Sequence, residues 1–205
     1  PCPLPALEEL DKAERVFGSA DIAIVYTGAV YHAHYDAFRN LIRAIQKLER
    51  PDVKLHLYTA QPQAELERHG ISGPMVIRHP HISRSEVPIV LRQATLLFLP
   101  LAFNSPIPEV IRTSSPGKTG EYLSVGRPIM VHAPEDCFLS WYFKTHQCGV
   151  VVDKNDPGIL AEEIERLLSN RELQEKLSVK ARERAERDFS IDAIQKKFRE
   201  LLGAL

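Results

Sequence analysis

Cysteine is scarce in this chain. Cys2, Cys137 and Cys148 are the three among 205 residues, an odd count without the paired spacings of a disulfide framework or a zinc site. A reducing compartment is therefore expected, with neither cross-links nor structural zinc. An excess of one charge is also missing. The 26 basic and 27 acidic residues nearly cancel, and the basic ones are dispersed along the chain, which excludes the concentrated cationic face of a nucleic-acid-binding protein. No run approaches the ~18 to 20 apolar residues of a membrane span, and no basic-then-apolar leader opens the chain. A cytoplasmic location is expected. The opening PCPLP lacks methionine, so the chain reads as a piece cut from something longer. No internal repeat is present.

What remains is enough for one domain with a substantial core. Short apolar, β-branched runs recur: IAIVYT (22–27), VKLHLYT (53–59), PMVIR (74–78), TLLFLPL (95–101), PIMVHA (128–133) and GVVVD (149–153). Their continuity suits strands buried on both faces. Helical patterns lie between them at 35–49, 64–70, 85–94, 116–126 and 136–147. This alternation predicts an α/β fold, a doubly wound, Rossmann-like parallel sheet of about six strands. From about residue 157 the strands stop, and a helical tail follows, with Ile159, Leu160, Ile164, Leu167 and Leu168 at helical spacing. The charges of KARERAERD form a solvated helix face. Residues 1–20 read as a linker with one polar helical turn, and 21–205 as the domain.

Gly117-Lys118-Thr119 imitates the end of a nucleotide-triphosphate loop, G-x-x-x-x-G-K-[ST]. The position five before Gly117 is Arg112, and Pro116 lacks the N–H such a cradle uses. A helix start survives, with Ser115 as N-cap, Pro116 at the first helical position and Gly126 as the stop. Such a start favours an anion, and Lys118 adds a cation there. Glu121 follows one turn later, so one ligand could offer phosphate to Lys118 and hydroxyls to Glu121. A plain surface ion pair between the two is the structural alternative.

Ligands of open parallel sheets bind outside the carboxyl ends of the strands, where strand order reverses. The loops to inspect are therefore Thr27-Gly28-Ala29-Val30 after the first strand and Arg78-His79-Pro80-His81 after the third. His32, His34 and Asp36 have the H-x-H-x-D order of some metal-dependent hydrolases. They also stand at the head of a crossover helix, where Asp36 suits the first turn.

PGKTGEYLSVGRPIMV, followed by GVVVDKNDPGILAEEIERLLSNRELQEKL, resembles the carboxyl-terminal half of retaining glycosyltransferases of family 4. IVYTGAVY, DAFRNLIRAI and RQATLLFLPL extend the match over nearly the whole chain from about residue 20. The resemblance implies one half of a GT-B enzyme: the domain that binds a nucleotide-sugar donor, with no bound metal. A separate amino-terminal domain would hold a glycan, lipid or small-molecule acceptor and could touch a membrane surface. It implies that Glu121 holds the donor ribose and that Gly28, with Ala29, lies near the diphosphate. Lys118, Ser115 and Thr119 would surround phosphates or sugar, and Arg78, His79 and His81 would run beside the nucleobase.

Two departures bear on these roles. Many members carry a glutamate eight positions before Glu121 to hold the donor sugar, and here Thr113 stands there, with Glu109 as a possible substitute. Many also place a lysine or arginine after the first-strand glycine, where this chain has YHAHYD. The sequence thus points to a glycosyltransferase of the hexosyl type, with a catalytically inactive nucleotide-binding module and an H-x-H-x-D metal hydrolase as the alternatives.

Overall fold

The computed structural model describes residues 4–203; Cys2 lies outside them. Six parallel strands, β1 (Ile22–Thr27), β2 (Val53–Tyr58), β3 (Val76–His79), β4 (Leu96–Pro100), β5 (Ile129–His132) and β6 (Val150–Val152), form one sheet in the order β3-β2-β1-β4-β5-β6. Every pairing is parallel, as Ile22 against Val53 and Leu97 against Ile129 illustrate. The continuous apolar runs form strands because helices cover both faces and leave no polar face to solvent. Strand order reverses between β1 and β4, which opens a crevice at their carboxyl ends.

Ten helices flank the sheet among the described residues. They are α1 (Leu7–Asp11), α2 (Tyr35–Lys47), α3 (Gln63–Arg68), α4 (Val87–Gln93), α5 (Pro108–Thr113), α6 (Thr119–Ser124), α7 (Phe138–His146), α8 (Pro157–Ser169), α9 (Arg171–Asp188) and α10 (Ile191–Gly203). One core layer sets Phe38, Leu41 and Ile45 of α2 and Leu160 and Ile164 of α8 against Ile24, Leu55 and Phe98. The opposite layer gathers Leu91, Tyr122, Phe143, Ala181 and Ala185 against Val25, Leu97 and Val131. Small residues let α9 approach α6 closely. A Cβ on Gly120 would lie 2.9 Å from the Phe189 ring. Cys137 and Cys148 are both buried free thiols. Burial pushes the Cys148 thiol up to about 12.

The KARERAERD charges form i,i+4 pairs along α9, Arg182 with Glu186 and Arg184 with Asp188. α1 is fixed to α4 by the Arg92–Asp11 ion pair at 2.8 Å. Two expectations need correction. Residues between β4 and Lys118 include a helix, α5, with Pro108 in its first turn; only Ile111 of it is buried, too little apolar periodicity to announce it. The next helix begins at Thr119 and not at Pro116. Ser115 caps nothing, because the chain enters through a reverse turn closed by the Thr119 N–H on the Pro116 carbonyl at 2.9 Å. Its end is as expected, with Gly126 left-handed at φ 59°.

Candidate functional site

The crevice is built on the loop that leaves β1. Gly28 has φ 117°, a conformation that side chains disfavour, and the surrounding backbone is tied on several sides. The Thr27 N–H donates to the buried Tyr122 hydroxyl at 2.9 Å, and the Gly28 N–H to the Tyr58 carbonyl at 2.8 Å. The Tyr26 hydroxyl donates to the Ala29 carbonyl at 2.6 Å, and Gln61 accepts from the Val30 N–H at 3.0 Å. The loop is thereby rigid, with Ala29 exposed at its tip.

Lys118 reaches this loop from the turn before α6. Its Nζ stands 3.7 Å from the centroid of the Tyr26 ring, within cation–π range. A Cβ on Gly28 would be 3.0 Å from the same atom, so the glycine makes room for the ammonium. Burial pushes the Lys118 amine down to about 7, against the opposing pull of Glu121. Near neutral pH the group is poised between charged and neutral forms. The ammonium lies on Tyr26, so a simple surface pair with Glu121 does not describe it. Glu121, in the first turn of α6, lines the same pocket, a cavity of about 260 Å³ bounded also by Gly28, Tyr58, His81 and Arg84.

Other sequence-selected residues sit elsewhere. Arg78 turns back, its Nε donating to the Gln61 carbonyl at 2.8 Å. His79 is hydrogen-bonded to His56 at 3.0 Å and stacked on Tyr58 with centroids 4.2 Å apart. Burial lowers the His79 pKa. Glu109 and Thr113 both lie on α5, where the Thr113 hydroxyl donates to the Glu109 carbonyl at 3.0 Å. Thr113 faces a separate depression with Asp136 and Trp141. Ser115 is exposed, and Thr119 is buried with its hydroxyl unpartnered.

The H-x-H-x-D stretch does not assemble as a ligand set. Asp36 accepts from the backbone N–H groups of Phe103 and Asn104, at 3.1 and 2.7 Å, and so anchors the loop after β4 to α2. His34 is buried between the rings of Tyr26 and Tyr31. Burial, with the Lys118 charge nearby, drives its pKa down to about 3, which leaves a neutral imidazole where many family members have a lysine or arginine. His32 is exposed. Among the described residues no three His, Cys, Asp or Glu side chains come together as candidate metal ligands.

Four pocket residues escape a motif-based reading: Tyr58, Ile82, Arg84 and Val87. Tyr58 hides inside an apolar strand pattern, Ile82 and Arg84 come from the β3–α4 connection and Val87 opens α4, and only the β2–β1–β4 order brings them beside Gly28. The mere presence of an arginine in the loop after β3 was the one available signal.

Known proteins share this fold. The structure of HepE from Anabaena in complex with UDP and glucose superposes with a TM-score of 0.67 at 15% identity, over 91% of this chain and 49% of that one. Sucrose-phosphate synthase from Thermosynechococcus elongatus gives 0.62 at 18% identity, over 91% and 47%. The C-terminal domain of the group 1 glycosyl transferase LpcC from Francisella tularensis gives 0.57 at 14% identity, over 82% and 86%. The chain therefore spans about half the length of HepE and has the fold of the C-terminal half of GT-B glycosyltransferases. Among the described residues no helix is long and apolar enough to cross a membrane. Comparison with curated protein sequences finds no match. The family model described as glycosyl transferases group 1 matches residues 21–170, and the chain belongs to that family.

Proposed function

We propose that this chain is the donor-binding domain of a retaining, family 4 glycosyltransferase that moves a hexose from a nucleotide diphosphate sugar to an acceptor hydroxyl. Residues 21–205 form that domain, and an acceptor domain outside this chain completes the enzyme. One observation carries the reading: Gly28, Lys118 and Glu121 converge on a single pocket at the strand-order reversal. The diphosphate lies over Gly28, where no side chain intervenes, and meets the Lys118 ammonium. Glu121 accepts hydrogen bonds from the ribose hydroxyls. HepE, of similar fold, is known in complex with UDP and with UDP-glucose.

Chemically, the difficult event is departure of the nucleoside diphosphate from the anomeric carbon. A fixed cation aimed at the leaving oxygens stabilises the charge that develops there, and the tied Gly28 loop holds the donor without reorganising. Side-chain cations, in place of a bound metal, supply that stabilisation in this reading. Calorimetric titration with UDP, GDP, ADP and TDP is the test. At least one should bind, and Glu121→Ala should weaken it about tenfold or more, the value of a charged hydrogen-bond pair, without a change in melting temperature. Unchanged affinity removes Glu121 from the site. Thr113, in place of an acidic residue, and the neutral His34 favour a second reading, a nucleotide-binding module without catalysis. A sugar-transfer assay on the chain rejoined to its acceptor domain separates the two.

A further inference from the structure

The charges around the pocket do not balance a diphosphate. Lys118 and Glu121 oppose each other there, and Lys118 is only partly charged at neutral pH. The loop after Gly28 contributes no arginine or lysine up to the start of α2, and its buried His34 is neutral. A dianion entering such a pocket would meet a net negative or neutral wall. The lining also carries Tyr58, whose hydroxyl burial pushes up to about 12 and so keeps neutral, with His81 and Arg84, and of these the Arg84 guanidinium is the permanent cation.

Arg84 is free to meet a ligand. It is exposed on the β3–α4 connection, and among the described residues its guanidinium makes no hydrogen bond and no ion pair. The nearby Glu86 turns its Oε2 to its own turn, accepting from the Ser83 N–H at 2.8 Å and the Ser83 hydroxyl at 2.5 Å. Arg84 lies on the same cavity as Gly28 and Lys118 but arrives from the opposite connection of the sheet. A planar fork of donors in that position can take two phosphate oxygens at once.

We propose that Arg84 is the diphosphate-binding cation of this chain, doing from the β3–α4 connection what no basic residue does from the Gly28 loop. The inference rests on the donor-binding reading above and adds a residue to it. Arg84 grips the outer face of the diphosphate while Lys118 holds the inner one, so the leaving group departs between two cations.

The test compares wild type, Arg84→Gln and Arg84→Lys by calorimetry. The ligands are whichever of UDP, GDP, ADP and TDP binds wild type most tightly, and its parent nucleoside. Arg84→Gln should weaken the diphosphate by about tenfold to a hundredfold, the range of a charge-assisted contact, and leave the nucleoside within twofold. Arg84→Lys should recover part of the loss. Equal diphosphate affinity in Arg84→Gln overturns the inference and leaves the donor-binding reading intact. Equal loss for nucleoside and diphosphate also overturns it, by placing the guanidinium on the base. If wild type binds none of the four, the donor-binding reading itself fails. Melting curves of the variants guard against misfolding, which an unpaired surface arginine gives no reason to expect.

Discussion

Binding of a nucleotide sugar should take up a proton, and Lys118 sets the amount. Its amine is pushed down to about 7 by burial against Gly28 and Tyr26, whereas a diphosphate beside it favours the charged form. Below that value the ammonium is already present and affinity is level. Above it, the ligand must bring the proton with it. With a midpoint of about 7 the charged fraction falls from about nine-tenths at pH ~6 to about one-tenth at pH ~8, so affinity should fall about tenfold, or ~1.4 kcal/mol. At pH ~8 close to one proton should be absorbed per ligand bound. A nucleotide sugar is the right probe, since its diphosphate is esterified at both ends and lacks the ionisation near pH ~6 of a terminal phosphate. Titrations in two buffers of different ionisation enthalpy give the proton count directly. Lys118→Arg, charged throughout, should abolish both the uptake and the affinity step; a parallel His81→Asn variant separates any share of the pocket's histidine. Zero uptake at pH ~8 with a flat affinity profile would refute the reasoning.

Further outcomes follow from the same contacts. Acid should unfold the domain early. Burial lowers His34 to about 3 and His56 and His132 to about 4, so the unfolded chain binds protons from pH ~6.5 downward while the folded one does not. Stability is lost as pH falls through that window, and at pH ~4.5 His34 and His132 together cost about 5 kcal/mol, with a smaller, solvent-screened share from His56, against a whole domain's stability of about 5–15 kcal/mol. Circular dichroism should find an acid midpoint near pH ~4.5, and unchanged melting at pH ~4 would contradict this. Gly120→Ala should cost about 1–3 kcal/mol by overpacking, because the Cβ meets the Phe189 ring at 2.9 Å; denaturant titration measures it, and a loss under 0.5 kcal/mol, about the spread of neutral surface changes, speaks against the packing. Gly28→Ala should lower stability, because φ 117° disfavours any side chain, and should weaken nucleotide binding as well, because the added methyl meets the Lys118 ammonium at 3.0 Å; equal affinity by calorimetry would show that the close approach is incidental.

The sheet was legible because its central strands are sheathed by helices on both sides, so their residues form an unbroken apolar run, as in Leu96–Pro100. The short helices were harder. α5 buries only Ile111, and α6 is entered through a turn whose hydrogen bond lies within the backbone, where Ser115 looked like a cap. Gly28, Lys118, Glu121 and His81 meet in one pocket and were legible because they follow strands or open a helix at the ligand end of the sheet. Arg84 and Tyr58 were not, since their nearness to Gly28 depends on β2 lying beside β1. Three of the sequence-selected candidates are engaged away from the pocket: Arg78 and His79 by tertiary hydrogen bonds, Thr113 by its helix. No local pattern announces such partners.

The most direct trial is to follow backbone amide resonances of the chain as a nucleotide sugar such as UDP-glucose is added, with the GDP, ADP and TDP sugars as alternatives. The largest shifts should fall on Gly28, Ala29, Lys118 and Glu121, around the pocket where strand order reverses. Shifts confined to the α5–α7 depression around Thr113 and Trp141, with Gly28 and Glu121 unmoved, would place the ligand elsewhere and contradict the central claim.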